Sequence, residues 1–259
     1  MGTTWSVRFH SEDSYPDLRT EIQSRLDELD GIFSTYKPAS EISKINQADL
    51  KVPIRLSLEM EKVLRSALSL AKESEGEFDP TVGGSMVANQ FTPEISGKAD
   101  RTGDWTDLLL IGSRLIKHKR VLLDLSAVAK GFAVDEITGL LKEKGISSAL
   151  TEIGGDMRAI GKNGAKGWLV GVEIYDQGEL VIKKLALMNE SIAVSGLFRN
   201  TKEGASHIVD RESGRMFSIQ KLTAYHLAPT CMEADGRATL KLIRAASATD
   251  LSGMGRTSQ

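Results

Sequence analysis

The sequence VLLDLSAVAKGFAVDEITGLLKEK, residues 121–144, decides the fold because it joins a short apolar segment to a helix through a turn of small residues. The apolar segment has strand length but is interrupted by Asp124, which places a carboxylate in an expected buried strand. Lys130 follows the turn, and apolar residues then recur at helical spacing up to Gly145. Two interpretations stay open: an ordinary strand-to-helix connection with a surface lysine, or a turn whose backbone amides receive a phosphate.

Outward from this segment, hydrophobic periodicity predicts further helices and strands. Upstream, a half-buried strand opens the chain, and helices are expected after Pro16, Ser40 and Ser57. Residues 85–104 are polar and aperiodic, which predicts a long loop. Downstream, a last helix is expected to be capped by Thr230. It is preceded by strands in ISSALTEI, WLVGVEI, ELVIKKLALM, SIAVSG and LTAYHL.

The composition excludes several classes of protein. Lys and Arg total 33 against 35 Asp and Glu and are scattered, so nothing marks a nucleic-acid surface, and small molecules or proteins are the expected partners. No apolar run approaches membrane-spanning length, and the first residues, MGTTWSVRF, lack the regions of a signal peptide. The start could still belong to a mature or trimmed form, so the compartment stays open. With Cys231 alone, neither an internal disulfide nor a multi-cysteine metal site is expected.

One pair of polar residues on the last predicted helix indicates a metal site. Asp235 and Thr239 lie four residues apart, so a carboxylate and a hydroxyl share a face whose other members are apolar. A buried carboxylate needs a cation or several donors, and oxygen ligands of this kind suit Mg²⁺. Alternatively, Thr239 bonds its own helix backbone while Asp235 pairs with a basic residue. The spacing supports both interpretations equally.

Four other segments carry chemistry that the pattern alone leaves open. Tyr36 offers an aromatic face for a planar ligand, or is part of a helix connection. Asp79 precedes a proline and two glycines that permit close approach of a ligand or of another segment. Ser195 sets a hydroxyl beside a glycine. His207 and Asp210 bracket a short apolar strand, which indicates a site rim or an ordinary structural histidine.

The common catalytic templates are missing from the sequence, because no GxxxxGK[ST], GxGxxG, HExxH or GxSxG occurs. Eight ordered segments, covering nearly the whole chain, instead resemble the ApbE family of flavin transferases. They are MGTTWSV, FSTYKPASEISKIN, FDPTVG, LDLSAVAKGFAVDEI, IGGDMRAIG, AVSG, SHIVDRESG and APTCMEADGRAT.

This resemblance implies a mixed α/β (α+β) fold, two-lobed and T-fold-like, with a Mg²⁺-dependent FAD site between the lobes. By similarity, the metal ligands are the Ala127 carbonyl and the side chains of Asp235 and Thr239. Ser195 is expected near the pyrophosphate, and His207 is the candidate for activating the acceptor hydroxyl or stabilising the transferred phosphate. The positions that match FAD contacts are Met1, Tyr36, Phe78, Asp79, Asp124, Lys130 and Ile208.

The implied reaction moves the FMN half of FAD to a Ser or Thr hydroxyl, leaves a phosphoester-linked flavin and releases AMP. The expected acceptor is a flavoprotein subunit of a membrane redox complex. Because the family commonly works outside the cytoplasmic membrane, often as a lipoprotein, a periplasmic or envelope location is expected, with the cytoplasm as the alternative. Two further functions stay open: an FAD pyrophosphatase that uses water as nucleophile, and a non-catalytic FAD-binding protein.

The sequence departs from the family pattern at three places. Leu197 stands where relatives often have an acid, and Arg211 stands where a proline is common. After Thr239 the sequence LKLIRAASATDLSGMGRTSQ lacks a long buried stripe. We therefore expect a single domain over residues 1–242 and an irregular or disordered tail at 243–259. We also expect Asp235→Ala to preserve the fold, as for a surface-like carboxylate.

Overall fold

The structure is mixed α+β, as the sequence predicts. The computed structural model describes residues 2–94, 99–100, 102–165, 167–176, 178–198, 200–211 and 213–254, with the backbone alone for 250–254. The helices are α1 (Leu18–Phe33), α2 (Glu41–Gln47), α3 (Leu58–Glu73), α4 (Gly83–Ala88), α5 (Ser126–Glu143) and α6 (Cys231–Met254), with a 3₁₀ turn at Trp105–Asp107. The strands are β1 (Trp5–His10), β2 (Ile54–Arg55), β3 (Leu108–Ile111), β4 (Arg114–Lys117), β5 (Ser148–Ile153), β6 (Asp156–Ile160), β7 (Trp168–Asp176), β8 (Glu179–Leu187), β9 (Ser191–Gly196), β10 (Ala205–Asp210), β11 (Arg215–Ser218) and β12 (Thr223–Ala228).

A five-stranded antiparallel sheet of order β1-β5-β6-β9-β12 forms one layer of the molecule. Helix α5 packs on β5 and β6, and α6 packs on β9 and β12. Helices α1 and α3 contact α5, and α3 also contacts α6, so the α5–α6 pair lies between the sheet and a second layer of helices. A three-stranded sheet, β2-β4-β3, and the hairpins β7-β8 and β10-β11 complete the described sheets.

Helices α5 and α6 approach each other so closely that one position must be glycine. A Cβ added to Gly131 would lie 2.3 Å from the Cys231 carbonyl oxygen, well inside van der Waals contact. The Asp135 carboxylate accepts hydrogen bonds from the backbone N–H groups of Cys231 and Met232, both at 2.9 Å. Since the N-terminus of a helix carries partial positive charge, this carboxylate on α5 fixes the start of α6.

Several predicted helix starts are confirmed. Ser40 accepts a hydrogen bond from the Ser43 N–H and Ser57 accepts one from the Met60 N–H, at 3.2 and 3.1 Å. Thr230 accepts one from the Glu233 N–H at 3.3 Å. None of the described helices combines the length and the apolarity that crossing a bilayer requires.

The predicted strand at residues 121–125 is wrong. Outside the named strands, this segment makes only an isolated parallel bridge, between Val82 and Leu122. The backbone groups of Leu123 bond the Asn46 side chain instead: its N–H donates to Oδ1 at 2.7 Å and its carbonyl accepts from Nδ2 at 3.0 Å. At Leu123 a side-chain amide therefore takes the place of a strand, while the neighbouring Leu122 and Asp124 bond the backbone of residues 80–83. An apolar pattern cannot reveal either contact.

Two other expectations from the central part of the chain need correction. The loop predicted at 85–104 begins with helix α4, which continues to Ala88 and buries Met86. Residues 95–98 and 101 of that loop lie outside the described residues. The basic segment KHKR at residues 117–120 predicts a turn, but its first residue, Lys117, ends β4 and is fully buried.

The predicted irregular tail is wrong for residues 243–254, which continue helix α6. Ile243 and Ala246 are buried in a small apolar cluster that includes Ile208 and Phe217 of the β10-β11 hairpin. Arg244 also makes a two-armed ion pair with Glu77, at 2.9 and 3.1 Å. A few apolar residues suffice here because the hairpin covers them. Residues 255–259 lie outside the described residues.

Candidate functional site

Charged residues from three elements meet where α5, α6 and β6 come together. The Lys130 ammonium of α5 contacts the Asp156 carboxylate at the start of β6. The same Nζ atom lies 3.5 Å from Asp235 Oδ1 on α6. Both carboxylates are almost completely buried, so this Lys130–Asp156–Asp235 group, the charged cluster, carries one negative charge more than its lysine neutralises when all three are ionised.

The backbone of α5 also bonds Asp235. The Gly131 N–H donates to Asp235 Oδ2 at 2.9 Å. In a regular α-helix the Gly131 N–H points at the carbonyl of Ala127, four residues earlier. A carbonyl oxygen has two lone pairs, so the Ala127 carbonyl has capacity for a partner outside its helix. A Cβ added to Gly236 would lie 4.0 Å from this carbonyl oxygen, so the carbonyl lies beside α6 next to Asp235.

Thr239 lies one turn after Asp235 on the same face of α6, and its hydroxyl contacts the hydroxyl of Ser195. Its Oγ1 lies 3.1 Å from Ser195 Oγ at the end of β9. The backbone of β9 is held close by, because the Val194 N–H donates to Asp156 Oδ1 at 3.3 Å. Asp156 therefore links the charged cluster to the strand that carries Ser195.

Burial dominates the electrostatics of the cluster. It raises the pKa of Asp235, and this effect is opposed by the Lys130 ammonium and the Gly131 N–H. Asp235 is thus a desolvated carboxylate and not the surface-like group that the sequence suggested. Removing it would leave the Gly131 N–H without this acceptor, so the expectation that Asp235→Ala acts on function alone is corrected.

The donor atoms at this crossing fit a hard cation in their chemistry. A buried carboxylate, a hydroxyl and a backbone carbonyl are oxygen ligands of the kind that Mg²⁺ takes, and the excess negative charge of the cluster favours a cation. Among the residues that the structure describes, no group of three or more His, Cys, Asp or Glu side chains is suited to a metal ion. A metal here would therefore rely on the carbonyl and hydroxyl oxygens as well as on Asp235.

Asp124 lies at the other end of the turn that leads into α5. Its Oδ1 accepts the N–H of Ser126, the first residue of α5, at 2.9 Å, and its own N–H donates to the Pro80 carbonyl at 2.9 Å. The side chain is buried and lines a cavity of about 20 Å³ together with Asn46. This volume is about that of one water molecule.

The residues around Asp79 are engaged inside the protein. Asp79 is buried, with Oδ1 bonded to the Thr81 N–H at 2.8 Å and Oδ2 to Arg211 Nε at 2.7 Å. Arg211 therefore ties the end of β10 to this turn. The Phe78 ring is buried in the main core, whereas Tyr36 is 65% exposed and donates its hydroxyl to the Phe91 carbonyl.

His207 and Ile208 lie on β10, next to the second half of α6. Ile208 is buried against Leu242 and Ile243, so this part of β10 passes the helix about one turn beyond Thr239. His207 is half-buried and makes an interaction of its own. Met1, the remaining predicted FAD contact, lies outside the described residues.

The structure thus brings together Lys130, Asp235 and the Ala127 carbonyl, and beside them Ser195 and Thr239. It holds the remaining predicted residues on neighbouring segments. Sequence reasoning missed Asp156, whose signal was the same as that of Asp124: an acid at the edge of an apolar run, here directly after two glycines. It also missed Asn46, because a buried amide at the end of a short helix looks like an ordinary cap residue.

Comparison with known proteins shows similarity over nearly the whole chain. The sequence model of the ApbE family matches residues 1–250. A protein designated FAD:protein FMN transferase from Haemophilus influenzae is 33% identical, over 92% of this chain and 77% of its own length. The namesake from Vibrio cholerae is 30% identical, over 92% of this chain and 78% of its own length.

Solved structures with similar folds carry related designations. The structure titled flavin transferase ApbE from Vibrio cholerae superposes with a TM-score of 0.81 at 27% identity, covering 97% of this chain and 88% of that protein. The apo form of the flavinyl transferase ApbE from Pseudomonas stutzeri gives a TM-score of 0.81 at 25% identity, covering 94% and 82%.

Proposed function

The chain belongs to the ApbE family, and on that premise we propose that it is an enzyme that transfers FMN from FAD to an acceptor protein. The shared designation of its relatives supports this activity. The structural observation that carries the proposal is the charged cluster at the crossing of α5 and α6, with the Ser195 and Thr239 hydroxyls beside it. A buried cluster with excess negative charge has no need to exist for packing alone.

The proposal includes Mg²⁺ as the cation of this site. Asp235, Thr239 and the Ala127 carbonyl would hold it, as the donor chemistry and the charge of the cluster support. When bound, Mg²⁺ would neutralise charge on the pyrophosphate oxygens of FAD. Lys130 would supply further positive charge from the α5 side, while Asp156 restrains its ammonium.

The chemical step is a phosphoryl transfer, which requires alignment and charge neutralisation more than covalent help from the protein. The Ser or Thr hydroxyl oxygen of the acceptor bonds to the phosphorus on the FMN side of FAD. The bond between that phosphorus and the bridging oxygen breaks, and AMP leaves with that oxygen. The product is an FMN joined to the acceptor by a phosphoester bond.

Two residues are proposed to act on the reacting groups. His207 accepts the proton of the acceptor hydroxyl or stabilises the transferred phosphate, a role supported by its position on β10 beside α6. Ser195 donates its hydroxyl to the pyrophosphate, a role supported by its contact with Thr239.

FAD is proposed to lie between the charged cluster and the segments that carry Asp124, Tyr36 and Asp79. The exposed Tyr36 ring is available to a planar ring of the ligand. Asp79 and Phe78 would act through the shape and backbone of their turn, because the side chains are engaged with Arg211 and the core. Ile208 would support the His207 backbone from the β10 side, and Met1 stays a predicted contact.

The acceptor is proposed to be a flavoprotein subunit of a membrane redox complex, and the site of action the periplasmic or envelope side of the inner membrane. Both parts of the proposal derive from the family. Fractionation of cells that produce the full-length protein, followed by immunodetection in periplasmic, membrane and cytoplasmic fractions, tests the location. Recovery in the cytoplasmic fraction alone would contradict it.

The activity is tested with FAD, Mg²⁺ and an acceptor protein that the Vibrio cholerae transferase labels, with that transferase as positive control. We expect flavin fluorescence on the denatured acceptor, a mass increase of FMN less one water, and one AMP per label. An acceptor whose target threonine is replaced by valine should stay unlabelled.

The products separate the transferase from the other two functions. FMN and AMP released without labelling of the acceptor would replace the transferase by a pyrophosphatase. Stable FAD binding with no AMP would indicate a binding protein. Either result, with an active positive control, would overturn the proposed function.

A further inference from the structure

Asn46 makes an unusual contact with the segment that leads into α5. Its side-chain amide accepts the Leu123 N–H at 2.7 Å and donates to the Leu123 carbonyl at 3.0 Å. One planar amide thus bonds both main-chain groups of a single extended residue, as a neighbouring strand would do. Both residues are buried, so bulk solvent does not compete for these two backbone groups.

The main chain of Asn46 is fixed as firmly as its side chain. The Lys117 ammonium donates to the Asn46 carbonyl at 3.0 Å and to the Ile45 carbonyl at 2.7 Å. These are carbonyls of the last turn of α2, where a cation is favoured by the helix dipole. Lys117 is fully buried, so its hydrogen bonds are made without competition from solvent.

The contact lies directly beside a residue of the proposed site. Asp124 follows Leu123 in sequence, and its carboxylate accepts the N–H of Ser126, the first residue of α5. Asn46 and Asp124 line the same water-sized cavity. A shift of Leu123 would therefore move Asp124 and, through the first turn of α5, the Ala127 carbonyl.

We propose that Asn46 is a positioning residue that sets Asp124 and the start of α5 for FAD binding. The inference rests on the proposed function, since it concerns the same site. Asn is the side chain that satisfies the geometry, because Asp lacks the donor and Leu, of similar size, lacks both donor and acceptor. We expect substitution of Asn46 to weaken FAD binding, because Asn46 acts on the substrate only through its neighbours.

The test compares FAD binding in Asn46→Asp and Asn46→Leu with the parent chain. Flavin fluorescence reports the dissociation constant without acceptor, and the labelling assay gives KM for FAD and kcat. We expect a rise of at least tenfold in the dissociation constant and in KM for both variants, with kcat at saturating FAD within threefold of the parent. Asn46→Asp keeps the acceptor for the Leu123 N–H and so serves if Asn46→Leu fails to fold.

Thr138→Val is the matched control for a loss of buried hydrogen bonds. The buried Thr138 hydroxyl on α5 donates to the Val134 carbonyl at 2.7 Å and lies 3.0 Å from Thr151 Oγ1, so its hydrogen-bond partners are not those of Asn46. We expect this variant to lower the melting temperature while FAD affinity stays within twofold. Hydrogen exchange should show faster exchange at the Leu123 amide in the Asn46 variants and not in the control.

The two possible failures are distinguishable. If the parent binds FAD but labels no acceptor, the proposed function fails while the binding comparison still tests Asn46. If the Asn46→Asp variant is folded and binds FAD within twofold of Thr138→Val, the positioning role is overturned. The same holds if KM is unchanged and only kcat falls, because that pattern would place Asn46 in the chemical step.

Discussion

Residues 123–130 lead into α5 and form its first turn, and their two ends are held by different chemistry. At the neutral end, the Asn46 amide holds the Leu123 backbone with two uncharged hydrogen bonds. At the charged end, Lys130 lies between Asp156 and Asp235, two buried carboxylates from different elements. The neutral end fixes a position at little electrostatic cost, whereas the charged end keeps an excess of negative charge that a cation can satisfy.

The neutral end therefore suits alignment of the turn, and the charged end suits the proposed chemical step. A backbone held by a neutral amide changes little when a ligand arrives, so it can align the turn in advance. A buried, incompletely neutralised cluster changes strongly when a cation or phosphate arrives, which is the behaviour expected of a catalytic site. Changes at the charged end should therefore act mainly on turnover, and changes at the neutral end on affinity and stability.

The largest effect is expected from Asp235→Asn at the charged end. The amide can still accept the Gly131 N–H, so the variant should fold, but it lacks the charge that the proposed metal requires. We expect kcat/KM for acceptor labelling to fall on the order of 10³-fold, as for the loss of a principal electrostatic group. A folded variant, by circular dichroism, with activity within tenfold of the parent would show that the carboxylate is not needed.

A smaller effect is expected from Gly131→Ala, which disturbs the crossing that joins the two helices. The new Cβ would lie 2.3 Å from the Cys231 carbonyl oxygen and 2.8 Å from the Met232 Cα, so the backbones must separate. We expect the free energy of unfolding, measured by urea denaturation, to fall by about 1–3 kcal/mol. Acceptor labelling should also fall, because Asp235 moves away from the Gly131 N–H.

Gly139→Ala on the same helix is the matched control, because an added Cβ there meets nothing within 4 Å. This substitution should raise the free energy of unfolding by up to about 1 kcal/mol, since alanine favours the helix. Equal changes in the two variants would mean that the close approach of α5 and α6 does not matter.

An effect on stability alone is expected for Lys117, which supports the neutral end. Burial, and then repulsion by Arg120, lowers the pKa of Lys117 from 10.5 to about 8, against an opposing attraction from Asp49. Between those values the unfolded chain binds more protons than the folded one, so this lysine's contribution to stability rises with pH. Relative to Lys117→Met, the parent should gain about 2 kcal/mol in free energy of unfolding from pH 7 to pH 10. Urea denaturation of both proteins at pH 7 and pH 10 checks this. A difference in free energy of unfolding that stays constant between the two pH values would contradict the lowered pKa of Lys117.

Periodicity in the sequence was enough to predict most of the fold. The helices capped by Ser40, Ser57 and Thr230 follow local rules of spacing and capping, and the structure confirms them. The segment at 121–125 was predicted wrongly because a side chain, Asn46, bonds the Leu123 backbone, and its pairing with residues 80–83 is limited to an isolated bridge. The tail was predicted wrongly because the hairpin β10-β11, distant in sequence, covers its few apolar residues.

The candidate site was predictable in part. The spacing of Asp235 and Thr239 predicted a shared helix face but left the partners open. The structure pairs Asp235 with a basic residue, Lys130, as in the second interpretation, and places the Thr239 hydroxyl beside Ser195. Asp156 could not be assigned, because its role depends on the crossing of β6 with α5. Contacts of that kind join residues far apart in the chain and leave no local pattern.

Metal binding at the charged end provides the most direct test of a site completed by α6. Mn²⁺, as a spectroscopic substitute for Mg²⁺, can be titrated into the FAD-saturated chain while electron paramagnetic resonance follows the free ion. We predict one Mn²⁺ per chain that Mg²⁺ displaces, at least tenfold weaker binding for Asp235→Asn, and unchanged binding for Glu233→Gln, an exposed acid of the same helix that pairs with Arg237. Equal Mn²⁺ affinity in the parent and Asp235→Asn would contradict the assignment of α6 to this site.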